Sequence, residues 1–142
     1  MAIVLKKSIE TSLTVQQEYY SDFLGDLDFH PTKKDLLRNT NEEAVKSSIR
    51  NLLLTNRGER LYDSNLGSDI RKILFENFSP AMESVLADLI RTTIENHEPR
   101  AKVEDIIVSS DDDSHYVVVT LVFSVINKEE PITLELILNR IR

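Results

Sequence analysis

The stretch that decides the fold is SPAMESVLADLIRTTIENHEPRAKVEDIIVSS, residues 79–110, in which one periodicity replaces another. Pro80 is a typical first helical residue, and Pro99 ends the helix near His97 because the residue before a proline avoids the α region. From Val103 onward, β-branched residues predict a strand. The helical part carries apolar residues at three- and four-residue spacing: Met82, Val85, Leu86, Leu89, Ile90 and Ile94.

Two further helices are predicted upstream of this stretch. The first begins at Thr40 or Asn41, because Thr40 and Glu43 have the spacing of a capping box, and Gly58 supplies its stop signal. Its apolar residues recur at helical spacing: Ala44, Val45, Ile49, Leu52 and Leu53. After a polar loop, Ser68 is expected to cap a short helix. The apolar side of that helix comprises Ile70, Ile73, Leu74 and Phe78.

Three strands are predicted downstream. Residues 103–109 and 116–126 flank the segment SSDDDSH and therefore predict a hairpin with an acidic loop. The second strand is apolar at nearly every position, which predicts cover on both of its faces. A third strand alternates apolar residues with others, and its inward residues include Leu134, Leu136 and Leu138.

Together these elements predict an α+β fold. An irregular N-terminal arm precedes three helices, which pack on one face of a small antiparallel sheet with a C-terminal three-stranded meander. A chain of 142 residues is typical of one domain. We expect residues 41–142 to form it, with residues 1–40 as an arm that is part of the domain or packed on it. The arm should hold one or two short strands, and its aromatic residues should be packing anchors.

Composition excludes several classes of function. With 17 basic and 24 acidic residues the net charge is -7, and such a chain lacks the basic footprint that nucleic-acid binding requires. No apolar run approaches the ~20 residues of a membrane span, so no membrane partner is expected. There is no cysteine, and the three histidines lack metal-site spacing. No phosphate loop or nucleophile motif is present, so we predict no cofactor, no metal and no catalytic residue.

The last predicted strand ends a few residues before the C-terminus, and nothing downstream remains to pair with its free edge. Its unpaired backbone groups could receive a strand from another protein, with Leu134, Leu136 and Leu138 as the candidate partner-binding residues. Two alternatives remain open. The N-terminal arm could cover the edge, or Arg140 and Arg142 could guard it.

Two short polar clusters each follow a predicted helix. The first is Gly58, Glu59 and Arg60, and the second is the triplet at residues 98–100. Solvated charges at a helix end are the simpler interpretation and contribute about 0–1 kcal/mol. The alternative is that the proline at the centre of the second cluster directs its arginine outward, toward a carboxylate of a partner.

Read together, GER at 58–60, YDSNLGSDIRKILFE at 62–76 and EPR at 98–100 resemble the baseplate wedge proteins of phage contractile tails. That family includes the baseplate component of type VI secretion machines. The resemblance runs from about Glu42 to Ile126. The family often has a proline shortly before Gly67, where this chain has Asn65 and Leu66.

The resemblance implies a structural protein that links the baseplate wedge to the tail sheath and initiates sheath polymerisation by strand addition. It implies that Glu98, Pro99 and Arg100 contact the helical core bundle formed by other wedge subunits. It also implies a six-fold assembly in the virion tail baseplate, with the host cytoplasm as the location before assembly.

Two other functions remain open at this stage. The family carries a lysozyme-like label, so a peptidoglycan-cleaving muramidase is one alternative, although a glycosidase needs a pair of carboxyl groups with different pKa values. Glu95 and Glu98 have helical spacing, but both are expected at an exposed helix end. Some relatives are anti-adaptors that bind a response regulator, and such a binding protein is the other alternative.

Overall fold

A computed structural model describes residues 19–76, 79–110, 115–126 and 128–140, and these residues form a mixed α+β fold. This confirms the predicted fold class. In chain order the elements are β1 (Ser21–Phe23), β2 (Arg38–Thr40), α1 (Asn41–Leu54), α2 (Ile70–Leu74), α3 (Pro80–His97), β3 (Ala101–Ser110), β4 (Tyr116–Val125) and β5 (Lys128–Asn139).

Strands β3, β4 and β5 form an antiparallel meander with β4 in the centre. Both outer strands are longer than the sequence pattern predicts, since β3 begins at Ala101 and β5 at Lys128. The core lies between one face of this sheet and the helices. Its fully buried members include Ile49 of α1, Leu86 and Ile90 of α3, and Leu121 and Phe123 of β4.

The prediction that β4 is covered on both faces is wrong for the part of the chain that the structure describes. Val117, Val119 and Leu121 are fully buried, whereas Val118 and Val122, which alternate with the buried positions, are only half-buried. The difference arises because the described helices pack on one face of the sheet. A central strand that is apolar at nearly every position therefore directs half of its side chains to the outer face of the sheet.

The helix boundaries are close to those predicted, but two capping interactions differ. The side chain of Thr40 makes no capping hydrogen bond, so the expected capping box does not form. Instead, Asn41 accepts a hydrogen bond from the backbone N–H of Tyr19. Helix α2 is capped at Asp69 rather than Ser68. Ser68 is buried, and its hydroxyl donates to the carbonyl oxygen of Leu53 at 2.6 Å.

The described part of the arm contains two short strands, as expected, since β1 and β2 pair antiparallel. The expectation that its aromatic residues are packing anchors holds only for Tyr20, which packs against the core. Tyr19, Phe23 and Phe29 are exposed, because a two-stranded hairpin this short has little surface to bury them against.

Four parts of the predictions lie outside the described residues. They are residues 1–18 of the arm, Phe78, residues 111–114 at the acidic tip of the β3–β4 hairpin, and Arg142 beyond β5. Among the helices that the structure does describe, none is both long and apolar enough to span a membrane.

Candidate partner-binding site

The chain turns sharply from α3 into β3 at the triplet Glu98, Pro99 and Arg100. The N–H of Glu98 donates the last hydrogen bond of the helix, to the carbonyl oxygen of Ile94 at 2.8 Å. The carbonyl oxygen of Glu98 then accepts a hydrogen bond from the N–H of Ala101 at 3.1 Å, which closes the turn. This turn brings the side chains of Glu98 and Arg100 together. The Nε and Nη2 atoms of Arg100 donate to the two carboxylate oxygens, at 2.6 and 2.7 Å.

The resulting ion pair is largely enclosed. The Glu98 side chain is 4% exposed and that of Arg100 is 31% exposed. Ser48 of α1 donates a hydrogen bond to the Glu98 carboxylate at 2.5 Å, and the Arg100 guanidinium lies over the ring of Tyr20, 5.4 Å from its centroid. The pair thus links helix α1, the end of α3, and the N-terminal arm.

Opposing effects act on the pKa of Glu98. Burial raises it, but the hydrogen bonds from Arg100 and Ser48 outweigh burial and hold the pKa below its ordinary value. The hydrogen bond to Glu98 raises the pKa of Arg100 in turn, against its own burial. Both groups are therefore charged at neutral pH, as a charge-assisted bidentate pair requires.

These contacts correct two expectations. Glu98 does not lie at an exposed helix end but is buried, because α1 and Arg100 cover it. Arg100 does not point outward unpaired, since Glu98 binds two of its nitrogen atoms. The described bonds leave Nη1 as the nitrogen available to a partner. The triplet alone could not reveal Ser48 or Tyr20, which are distant in sequence.

The buried carboxyl group also bears on the enzymatic alternative. Glu98 is the one buried acidic residue in the described part of the chain, and its pKa is lowered. A glycosidase acid requires the opposite shift, toward neutral pH. Within the same residues, no group of three acidic or histidine side chains is arranged to hold a metal ion.

The second cluster lies in a closed loop between α1 and α2. Gly58 has a φ of +85° and donates its N–H to Ser64 at 2.9 Å, and the Glu59 carboxylate accepts the N–H of Asn56 at 2.9 Å. Arg60 is exposed. In the described residues, no hydrogen bond or ion pair joins this cluster to residues 98–100. The two clusters are therefore not bonded to each other directly.

The edge of β5 is the third candidate surface. In the part of the chain that the structure describes, β5 pairs with β4 on one side and with no strand on the other. Leu134, Leu136 and Leu138 are buried and belong to the core, so their side chains anchor β5 rather than project from its edge. That these three residues belong to the partner-binding strand stays a prediction.

The register identifies which backbone groups are available instead. Arg140 donates its N–H to His115 at 2.7 Å, in the same register that pairs Tyr116 with Asn139. Because antiparallel pairs alternate, the even-numbered residues of β5 bond to β4. The N–H and C=O groups that face the open edge belong to Thr133, Glu135, Ile137 and Asn139. Sequence periodicity predicts which side chains of a strand are buried, but it does not predict which backbone groups face the neighbouring strand and which face the open edge.

A curated relative and two solved structures resemble the chain. Baseplate wedge protein gp25 of Enterobacteria phage T4 is 29% identical over 99 residues, which cover 70% of this chain and 75% of that protein. A putative tail lysozyme from Geobacter sulfurreducens shares the fold with a TM-score of 0.67 and 20% identity, over 71% of this chain and 92% of that one. A chain of the anti-feeding prophage baseplate has a TM-score of 0.61 and 21% identity, over 87% of both chains.

The family model of baseplate wedge protein gp25 matches residues 39–129. This range begins just before α1 and contains both polar clusters, the three helices and the β3–β4 hairpin. It covers well over half of the chain, and the chain therefore belongs to the baseplate wedge protein gp25 family.

Proposed function

We propose that this baseplate wedge protein joins the wedge core of a contractile tail to the tail sheath, and that it initiates sheath polymerisation by receiving a sheath strand at the open edge of β5. Its role is structural rather than enzymatic. The assembled protein belongs in the tail baseplate of the virion, as one of six copies around the tail axis, after synthesis in the host cytoplasm.

The observation that carries the proposal is a row of backbone groups on β5 to which no described strand pairs. Four residues, from Thr133 to Asn139, direct a donor and an acceptor each toward the open edge. Pro131 has no N–H and precedes this row, so the donors begin at Thr133. An incoming segment of about seven residues would satisfy all eight groups, as in β-strand addition.

The side chains of β5 support the same use of its edge. Inward residues such as Leu134 and Leu136 anchor the strand in the core, so the edge is held rigidly when no partner is present. Exposed strand edges are usually protected in monomeric proteins, because they template unwanted pairing. An edge that no described strand covers over seven residues is well suited to a protein whose role is to begin an assembly.

The ion pair at residues 98–100 supports a second contact, with the helical core bundle of the wedge. Glu98 fixes the guanidinium of Arg100 in place, so little side-chain entropy would be lost on docking. The Nη1 atom would donate to a carboxylate or to a helix C-terminus of the bundle. The loop at Gly58, Glu59 and Arg60 would provide a further partner contact.

Replacing Glu135 with proline tests the edge. The N–H of Glu135 faces the open side, so Glu135→Pro removes one donor and blocks an approaching strand while the bonds from β5 to β4 remain. We expect baseplates that contain this variant to carry no sheath, as counted by electron microscopy of purified tails. The thermal midpoint should stay close to that of the unmodified protein.

The matched control is Glu135→Gln, which keeps the backbone donor and removes only the charge. It should assemble sheath at the unmodified yield. If Glu135→Pro also assembles sheath normally, strand addition at β5 is wrong. If both variants fail, the carboxylate rather than the edge is responsible.

A further inference from the structure

An apolar groove of about 330 Å³ lies beside the C-terminal end of β5. It opens between that strand, the last turn of α1, and α2. Its lining is mostly apolar and comprises Leu53, Leu54, Ile70, Arg71, Leu74, Phe75 and residues 137–139.

Large apolar side chains are exposed around this groove. Leu54 is 45% exposed, Phe75 is 62% exposed and Ile137 is 64% exposed. They come from three different elements yet line one cavity. Clusters of this kind on a monomer indicate a contact surface rather than random exposure.

The groove is continuous with the open edge of β5. Residues 137–139 form part of its lining and are also the last part of the unpaired backbone row. A strand that pairs with this row must therefore pass along the opening of the groove. That geometry, rather than apolar character alone, identifies an extended chain segment as the occupant.

Side-chain direction determines which residue of that segment would enter. Paired residues on neighbouring strands point to the same face of the sheet. Leu138 points into the core, toward the helices. The residue that pairs opposite Leu138 would point the same way, whereas its two neighbours would lie on the outer face with Ile137 and Asn139.

We infer that the groove is a specificity pocket, which accepts one large apolar side chain of the incoming sheath strand at the position opposite Leu138. This inference rests on the proposed function. Strand pairing through backbone groups carries almost no sequence information, so the pocket selects the correct segment and fixes its register. Arg71 lines the groove and makes no ion pair within the described residues, so an acidic residue nearby in the strand is also favoured.

A photo-crosslink identifies the occupant. Phe75 is replaced by p-benzoylphenylalanine, the protein is mixed with the sheath subunit of the same tail, and the crosslinked peptide is sequenced by mass spectrometry. We expect an adduct at a large apolar residue of an extended sheath segment. The same replacement at Phe23, which is also exposed but lies in β1, should give no sheath adduct.

Crosslinks to residues 1–18 of this chain, or to a second copy of it, would overturn the inference. So would an absence of sheath adducts from position 75 under conditions in which sheath assembles.

Binding measurements separate this inference from the proposed function. The double variant Leu54→Ser/Phe75→Ser removes exposed apolar surface, so it should leave the melting temperature nearly unchanged and weaken sheath-subunit binding at least tenfold. Leu54→Trp should weaken binding by filling the groove. Loss of binding in Glu135→Pro together with full binding in both groove variants would reject the pocket and retain strand addition. Full binding by Glu135→Pro and by both groove variants would reject the pocket and strand addition alike.

Discussion

The guanidinium of Arg100 binds both carboxylate oxygens of Glu98, at 2.6 and 2.7 Å, although only Pro99 separates the two residues. A contact this local closes the turn between α3 and β3. Through Ser48 and Tyr20 it also holds α1 and the arm against that turn. The triplet is therefore part of the folded framework as well as a candidate docking surface.

Arg100→Ala should lower the free energy of unfolding by about 2–3 kcal/mol, because the buried Glu98 carboxylate loses its bidentate cation and keeps only Ser48 and the backbone N–H of residue 100 as partners. Arg100→Lys should recover part of this loss, since an ammonium keeps the charge but cannot bind both oxygens side-on. Urea denaturation measures both values. Equal stability of all three proteins would show that the ion pair has no structural role.

Stability should depend on pH through Glu98. The pKa of this group is lower in the folded protein than its ordinary value of 4.5, so the folded state favours the deprotonated carboxylate. Its contribution is present above the unfolded pKa and is lost as the pH falls through the folded pKa. Against Glu98→Gln, the unmodified protein should be about 1.5–3 kcal/mol more stable at neutral pH.

This difference should shrink in acid, and unfolding titrations from neutral pH to about pH 3 would follow it. A difference that stays constant over the whole range would contradict the pKa assignment.

The loop before α2 should be sensitive to substitution at Gly67. This residue has a φ of +122°, and a Cβ atom there would lie 2.6 Å from the backbone oxygen of Thr55. Gly67→Ala should cost about 3 kcal/mol or more, because neither backbone segment can move aside freely. Differential scanning calorimetry measures the loss.

Two other glycines provide controls for that measurement. Gly58 also has a positive φ, but a Cβ atom there would meet open space, so Gly58→Ala should cost about 1–2 kcal/mol. Gly25 has neither constraint, and Gly25→Ala should change stability by less than about 0.5 kcal/mol. A loss at Gly67 no larger than that at Gly58 would mean that the close approach does not exist in solution.

Two neighbouring valines of β4 test whether the sheet is covered on one face. Val119 is fully buried and Val118 is half-buried. Replacing either valine with alanine removes the same two methyl groups and the same strand propensity, so the two variants differ only in burial. Val119→Ala should cost about 2–3 kcal/mol and Val118→Ala less than about 1 kcal/mol. Similar costs at the two positions, measured by chemical denaturation, would indicate that the outer face is covered.

Sequence periodicity was sufficient for most of the fold because it reflects local geometry. The spacing from Met82 to Ile94 and the proline at 99 located α3, and alternation along Leu134, Leu136 and Leu138 identified the buried face of β5. Capping was less predictable. Thr40 and Ser68 have suitable side chains, but Ser68 instead donates to Leu53, a residue that only the folded chain brings near.

For the candidate site too, the sequence predicts the local features and the tertiary structure gives the contacts between distant residues. The sequence by itself determined the family, the fold class and the helix-to-strand turn at the EPR triplet, since each depends on motifs and patterns that are local in the chain. Only the tertiary structure decided that Glu98 is buried against Ser48 and that Arg100 is already paired. It also decided that the backbone groups of Thr133, Glu135, Ile137 and Asn139 face away from β4. Burial, register and the groove beside Phe75 depend on contacts between distant segments, which local patterns do not encode.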